Sequence, residues 1–331
     1  MRIAVLTAPE RFEIADVPTP APAPDEVVLA VAACGVCTSE LAAWTGAEPG
    51  GYPRHLGHEV SGTVTAIGRD VRSPSVGTPV GAWVTSHGFA ERVVAKAAHC
   101  RPAGAVPLDQ VLAEPLACAV NAVEEAGVRL GDDVVLIGAG FMGNLVQSLV
   151  RLRGVRRLIV ADTRPDALER AAALGATEVV DVRSRSLPEA VGDAGADITF
   201  ECTGTQAALD VVGDVTRMSG RIVLVGYHQG APRRVPLGHW NWMAFDIVNG
   251  HYRDPAVIMR GLDVGMRLLT AGAVSLEPLV THRFPLERIG AAFEAARDKP
   301  PGFAKATVTM AYADSRTTSG QGSTTVRPSP V

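Results

Sequence analysis

The chain has little that would mark it as secreted, membrane-spanning or nucleic-acid-binding. Among its 331 residues only five are cysteine (34, 37, 100, 118 and 202), an odd number too sparse for a secreted disulfide scaffold. No apolar run approaches the roughly 20 residues that span a bilayer. The N-terminal Met-Arg-Ile-Ala-Val-Leu lacks the charged, apolar and small-residue regions of a signal peptide. The cytoplasm is the expected compartment, with no membrane partner. A basic excess is missing too: the net charge is −4 and the arginines are scattered, which sets nucleic acid aside as a partner. What is present is a chain 47% hydrophobic, long enough for two domains with sizeable cores.

The densest chemistry lies early, in Cys34-Gly-Val-Cys37-Thr-Ser39-Glu40 and Gly57-His58-Glu59-Val-Ser-Gly62. Thiol sulfur, imidazole nitrogen and carboxylate oxygen from two segments form a borderline-soft donor set that suits Zn²⁺. A structural zinc is normally closed by four ligands, mostly Cys. Three protein donors leave a position open, so a catalytic metal is expected.

The first 120 residues are rich in β-branched residues, Gly and Pro, and Val27–Ala33 and Val60–Ile67 read as strands. From residue 119 the texture changes. A helix over Ala119–Gly127 is followed by strands at 133–137, 157–161, 178–181, 197–200 and 221–225, with helices between them except between 178–181 and 197–200. That alternation predicts a parallel sheet covered on both faces. Beyond residue 255, helices near 256–271 and 286–297 and a strand at 303–309 are expected to return to the first domain. The division is thus 1–120 with 255–311, and 121–254. The Ser/Thr/Gly/Pro-rich residues 312–331 are expected to be a disordered tail.

Gly138-Ala-Gly140-Phe141-Met142-Gly143 follows a strand, opens a helix, and precedes an acid, Asp162, at the end of the next strand. In that context the glycines form a dinucleotide fingerprint, letting backbone N–H groups at a helix N-terminus approach a pyrophosphate. Asp162 would accept from both adenosine ribose hydroxyls and repel a 2′-phosphate, favouring NAD; Arg164 nearby would soften that preference.

Taken with Glu114-Pro-Leu and Glu201-Cys-Thr203-Gly204, these motifs resemble the zinc-containing medium-chain alcohol and polyol dehydrogenases, over roughly residues 1–310. The resemblance implies an α/β fold: a GroES-like β-rich catalytic domain joined to a Rossmann doubly wound parallel sheet. It implies that Cys37 and His58 hold zinc, with Glu59 as third ligand and Glu114 approaching from the other side. It further implies a cofactor seat that includes Thr203 and Gly226. Ser39 stands where the family places the hydroxyl that takes the substrate proton, and Glu40 where an acid orders the metal site.

Two departures from the family matter. The relay histidine five residues after the Cys ligand is here Ala42, so the proton would leave through water, His55 or His87. The four-cysteine lobe of a structural zinc would fall between Val80 and Phe89, where no Cys occurs, so one zinc per chain is expected. Cys34, Cys100 and Cys202 are given to core packing, and so is Cys118, although one helical turn past Glu114 it could instead face the site.

Trp44, Tyr227, His228, Trp240 and Asn241 are the candidate walls of a pocket for a polyhydroxylated substrate. The expected activity is NAD-dependent oxidation of a secondary alcohol, with a polyol, sugar or cyclitol ahead of a simple alkanol. A zinc-free NADPH quinone or enoyl reductase on the same fold, or a non-catalytic NAD-binding relative, are the alternatives. The resemblance implies a homodimer or homotetramer.

Overall fold

The structure, a computed structural model, describes residues 1–310; the tail expected at 312–331 lies outside the described residues. Strands β1 (Arg2–Ala8) and β2 (Arg11–Asp16) pair as a hairpin. The long strand β3 (Glu26–Gly35) is buried on both faces, as its run of Val, Leu and Ala requires. After the short helix α1 (Leu41–Thr45) come β4 (Glu59–Ile67), β5 (Pro79–Trp83), β6 (Arg92–Lys96) and β7 (Cys100–Pro102).

Helix α2 (Ala113–Ala126) begins at Ala113 rather than at the expected Ala119. Pro115 is the reason: in a first helical turn its missing N–H has no partner to lose. The helix ends where Gly127, at φ +62°, takes the left-handed conformation. The earlier start puts Glu114 and Cys118 one turn apart on a single helix face.

The alternating region follows as β8 (Asp133–Ile137), α3 (Phe141–Arg151), β9 (Arg157–Asp162), α4 (Pro165–Ala173), β10 (Glu178–Asp181), α5 (Leu187–Val191), β11 (Ala196–Glu201), α6 (Gln206–Val212), β12 (Thr216–Leu224), α7 (Leu237–Trp242) and β13 (Asp246–Asn249). Its strands form a six-stranded parallel sheet in the order β10-β9-β8-β11-β12-β13. The order turns back between β8 and β11, and a crevice opens outside the carboxyl ends of the strands at such a point. α5, α7 and β13 are not anticipated by the sequence pattern.

The chain closes with α8 (Pro255–Thr270), β14 (Val280–Pro285), α9 (Ile289–Asp298) and β15 (Lys305–Thr309). β15 pairs with β3, so the first sheet runs β14-β15-β3-β4-β5-β7, with β6 also on β3. Helix α8 packs along α2, and Leu262, Met266 and Leu269 share a core with Leu116, Val120 and Val123. The closing stretch therefore splits. β14, β15 and α9 join the first lobe, while α8 joins the helix α2, which touches both sheets.

Two expected pocket walls turn out to be core. Trp44 is 1% exposed, its ring 5.6 Å from Phe293. Trp240 lies on α7 and is buried against Phe245 in the core under the parallel sheet. In each case an apolar face had a large cavity to fill, and burying an indole is strongly favourable.

Candidate active site

One cleft of about 1930 Å³ separates the two lobes, room enough for a dinucleotide and a small substrate together. On the β3–β4 side, Cys37 follows the end of β3, His58 immediately precedes β4 and Glu59 opens it. One donor atom from each of these three residues lies within 4.8 Å of the others. Glu40, buried on the turn after Cys37, accepts from the Gly57 N–H at 2.7 Å and sits 3.2 Å from His58 Nδ1. That contact turns the other imidazole nitrogen, Nε2, towards the donor cluster. Burial alone would push His58 down, but hydrogen bonds to Cys37 and Glu40 outweigh it and the imidazole is pushed up to about 12.

Glu59 is 1% exposed. Lys305 Nζ, on β15, donates to its Oε1 at 2.7 Å, while its Oε2 is buried with no partner. An unpartnered buried carboxylate oxygen beside a thiol and an imidazole is a site short of one cation, and the donor set fits zinc. Gly35 on β3 lies opposite Glu59 in register, and a Cβ there would overlap Glu59 Oε2. The bare glycine lets Glu59 and Lys305 meet across the strand between them. Burial would lower Lys305, yet Glu59 and its acidic neighbours hold it raised.

Glu114 enters the cleft from α2, and burial pushes its carboxyl up. Cys118, expected in the core, faces the cleft instead; its thiol donates to Glu114 Oε1 at 3.3 Å. Ser39 lines the cleft and its hydroxyl donates to Cys37 Sγ at 3.1 Å. His55 and His87 stack on each other, ring centres 4.4 Å apart, and neither is among the cleft-lining residues. The route through them is not built.

Across the cleft, Gly138 (φ +104°) ends β8 and the Gly140 N-cap opens α3. A Cβ on Gly140 would meet nothing within 4 Å, so the surface above it is clear for a ligand. A Cβ on Gly143 would overlap the Gly138 carbonyl oxygen, so helix and strand touch only because it is glycine. Phe141 and Met142 also line the cleft. Asp162 accepts from the Ala139 N–H at 2.6 Å and the Arg164 N–H at 2.9 Å, which fixes its carboxylate at the cleft edge. This cradle fits a pyrophosphate at the helix N-terminus and a ribose beside it. The Arg164 guanidinium turns aside, donating to the Phe303 carbonyl at 3.0 Å.

At the far end, Thr203, Gly226 and Tyr227 line the cleft. Fully buried Glu201 accepts from the Thr203 and Gly204 N–H groups at 2.7 and 2.9 Å. His228 is not a pocket wall: its Nε2 lies 2.9 Å from Glu201 Oε2. Asn241 is exposed on α7 and is not among the cleft-lining residues. Gln229, at the end of the stretch Gly226–Gln229 that follows β12, also lines the cleft. Lys305, another cleft residue, was missed; a lysine inside the apolar strand Phe303-Ala-Lys-Ala-Thr-Val was the available signal.

A cleft that seats both a metal and a dinucleotide is the layout of a metal-assisted dehydrogenase. The chain belongs to the zinc-dependent medium-chain alcohol and polyol dehydrogenases. Residues 23–106 match the alcohol dehydrogenase GroES-like domain and residues 142–245 the zinc-binding dehydrogenase domain, together more than half of the chain. It is similar to sorbitol dehydrogenase of Homo sapiens, 29% identical over 88% of this chain and 91% of that one. It is also similar to 2-dehydro-3-deoxy-L-galactonate 5-dehydrogenase of Pseudoalteromonas atlantica, 26% identical over 85% and 91%. The structure of 2R,3R-butanediol dehydrogenase from Bacillus subtilis superposes with a TM-score of 0.82, covering 93% of this chain and 99% of that one. At 22% identity that likeness speaks for the fold alone. The protein is an NAD-dependent oxidoreductase that uses zinc.

Proposed function

We propose that this enzyme oxidises a secondary alcohol of a polyol or sugar, and reduces the matching ketone in reverse. The observation that carries the reading is the meeting of the Cys37–His58–Glu59 donors and the Gly138–Gly143 seat in one cleft. The named activities of the sorbitol and galactonate relatives support a polyhydroxylated substrate.

In this reading Cys37, His58 and Glu59 hold one zinc per chain; among the described residues theirs is the one such group of three or more donors. Glu59 offers Oε2 to the metal and keeps Oε1 on Lys305. When bound, zinc supplies Lewis-acid polarisation of the substrate oxygen and NAD supplies the hydride acceptor. Glu59 would thus stand between two cations, the metal at Oε2 and the Lys305 ammonium at Oε1. Ser39 would relay the alcohol proton: its Oγ accepts that proton as its own hydroxyl proton passes on, with Ala42 in place of a histidine, to water. Glu40 orients His58, and Asp162 holds the adenosine ribose through its hydroxyls. Tyr227 is the remaining candidate for a substrate wall.

We further place the enzyme in the cytoplasm, supported by five free cysteines. No helix among the described residues is long and apolar enough to cross a membrane. A homo-oligomer would use the β13 edge, where Trp242, Leu237 and Ile247 are exposed, Trp242 by 77%.

The test is NADH formation by zinc-replete protein across polyols, inositols, sugar acids and simple secondary alcohols. Turnover on polyhydroxylated compounds is expected. Turnover confined to apolar alcohols would contradict the substrate class.

A further inference from the structure

We infer that Gln229 is the positioning residue for Ser39, tying the turn that carries the hydroxyl to the cofactor lobe across the cleft. The inference rests on the reading of Ser39 as proton acceptor.

Gln229 Nε2 donates to the Ser39 backbone carbonyl at 2.9 Å, a contact between positions 190 residues apart. Both residues line the cleft. Ser39 sits in the single 3₁₀ turn Thr38–Glu40, which has no side-chain cap. One 3₁₀ turn is weakly held by its own hydrogen bonds, so outside anchors decide where its side chains point. Glu40 pins one side through the Gly57 N–H at 2.7 Å. Gln229 pins the other. Fixing the Ser39 carbonyl fixes its peptide plane, and with it the direction from which Oγ addresses the substrate.

The loop that presents Gln229 is itself anchored. His228 Nε2 lies 2.9 Å from Glu201 Oε2, and Arg233 Nε donates to His228 Nδ1 at 3.4 Å. The imidazole thus carries its proton on Nε2, towards the carboxylate. Arg233 Nη2 also donates to the carbonyls of Gly204 at 3.0 Å and Gln229 at 3.1 Å. His228 and Arg233 therefore hold a rigid arm, and Gln229 is its tip. Glu201 at the root of that arm also holds Thr203 and Gly204, which border the cofactor seat. Seating of the cofactor and aiming of Ser39 are joined through one amide.

The experiment compares Gln229→Ala, Gln229→Glu, Ser39→Ala and the double variant Ser39→Ala with Gln229→Ala, all zinc-loaded. NADH affinity is read by fluorescence titration beside kcat and KM. Both Gln229 variants should lose about tenfold in kcat, since displacement by a fraction of an ångström is costly to catalysis. NADH affinity and alcohol KM should stay within about twofold. Gln229→Glu keeps the shape but turns a carboxylate oxygen to the carbonyl, so it should fail as alanine does. In the Ser39→Ala background, Gln229→Ala should cost nothing more, because no hydroxyl remains to be aimed. A wild-type kcat in either Gln229 variant, or fully multiplicative losses in the double variant, would overturn the positioning role and leave Ser39 as acceptor intact. Wild-type kcat in Ser39→Ala alone would remove the acceptor reading and this inference with it.

Discussion

Glu59 is bound at one oxygen only: Lys305 Nζ lies 2.7 Å from Oε1, and Oε2 is buried without a partner. The pair is 246 residues apart in sequence and nearly solvent-free, with side chains 1% and 6% exposed. Removing one member of such a pair strands the other charge.

Lys305→Met should therefore destabilise the metal-free protein by roughly 3–5 kcal/mol. With zinc bound the loss should shrink, because the dication offsets the stranded carboxylate. Urea denaturation with and without zinc measures both values. Equal losses in the two states would mean that Glu59 does not face the metal.

Cys37→Ala should abolish stoichiometric zinc and lower kcat by at least about a thousandfold. NADH binding should remain, since the Gly138–Gly143 seat belongs to the other lobe. Metal analysis and NADH fluorescence on one preparation check the two halves. Full zinc content in this variant would place the metal elsewhere.

His58, pushed up to about 12, keeps a proton through neutral pH in the metal-free chain. Its ordinary value is near 6.5. Zinc must displace that proton, so binding releases it and affinity rises with pH. Chelator-competition titrations from pH 6 to 8 should show at least about tenfold tighter binding per pH unit. A flat profile would exclude His58 as a ligand.

Asp162→Ala should raise KM for NAD by about ten- to a hundredfold, the value of charge-assisted hydrogen bonds to two hydroxyls. NADP should lose far less, because removing the carboxylate also removes its repulsion of a 2′-phosphate. Steady-state kinetics with both cofactors decides it; parallel losses would mean that Asp162 serves only the Ala139 and Arg164 amides.

Cys37, His58, Glu59, the Gly138–Gly143 run and Asp162 were legible because each belongs to a short segment whose chemistry repeats a physical requirement. Lys305 was not, since its partner lies 246 residues away and only strand pairing brings the two together; the contact of Gln229 with Ser39, 190 residues away, was not either, since it exists only where loop and turn face each other across the cleft. Trp44 and Trp240 misled for a different reason. An aromatic ring close in sequence to site residues or polar groups looks the same whether it walls a pocket or fills a core. For Cys118 the spacing from Glu114 allowed either a core or a cleft orientation, and its contact with Glu114 decides for the cleft. β13 is four residues long, too short for its alternation to register.

The glycine gap at position 35 also imposes an order on events. A chain made from its N-terminus presents Cys37, His58 and Glu59 long before residue 305 exists, and β15 can reach β3 only after every other described strand has been made. Until that strand docks, the acidic cluster lacks its ammonium. The counter-charge at Glu59 is thus a late acquisition, brought by the last described strand of the protein to leave the ribosome.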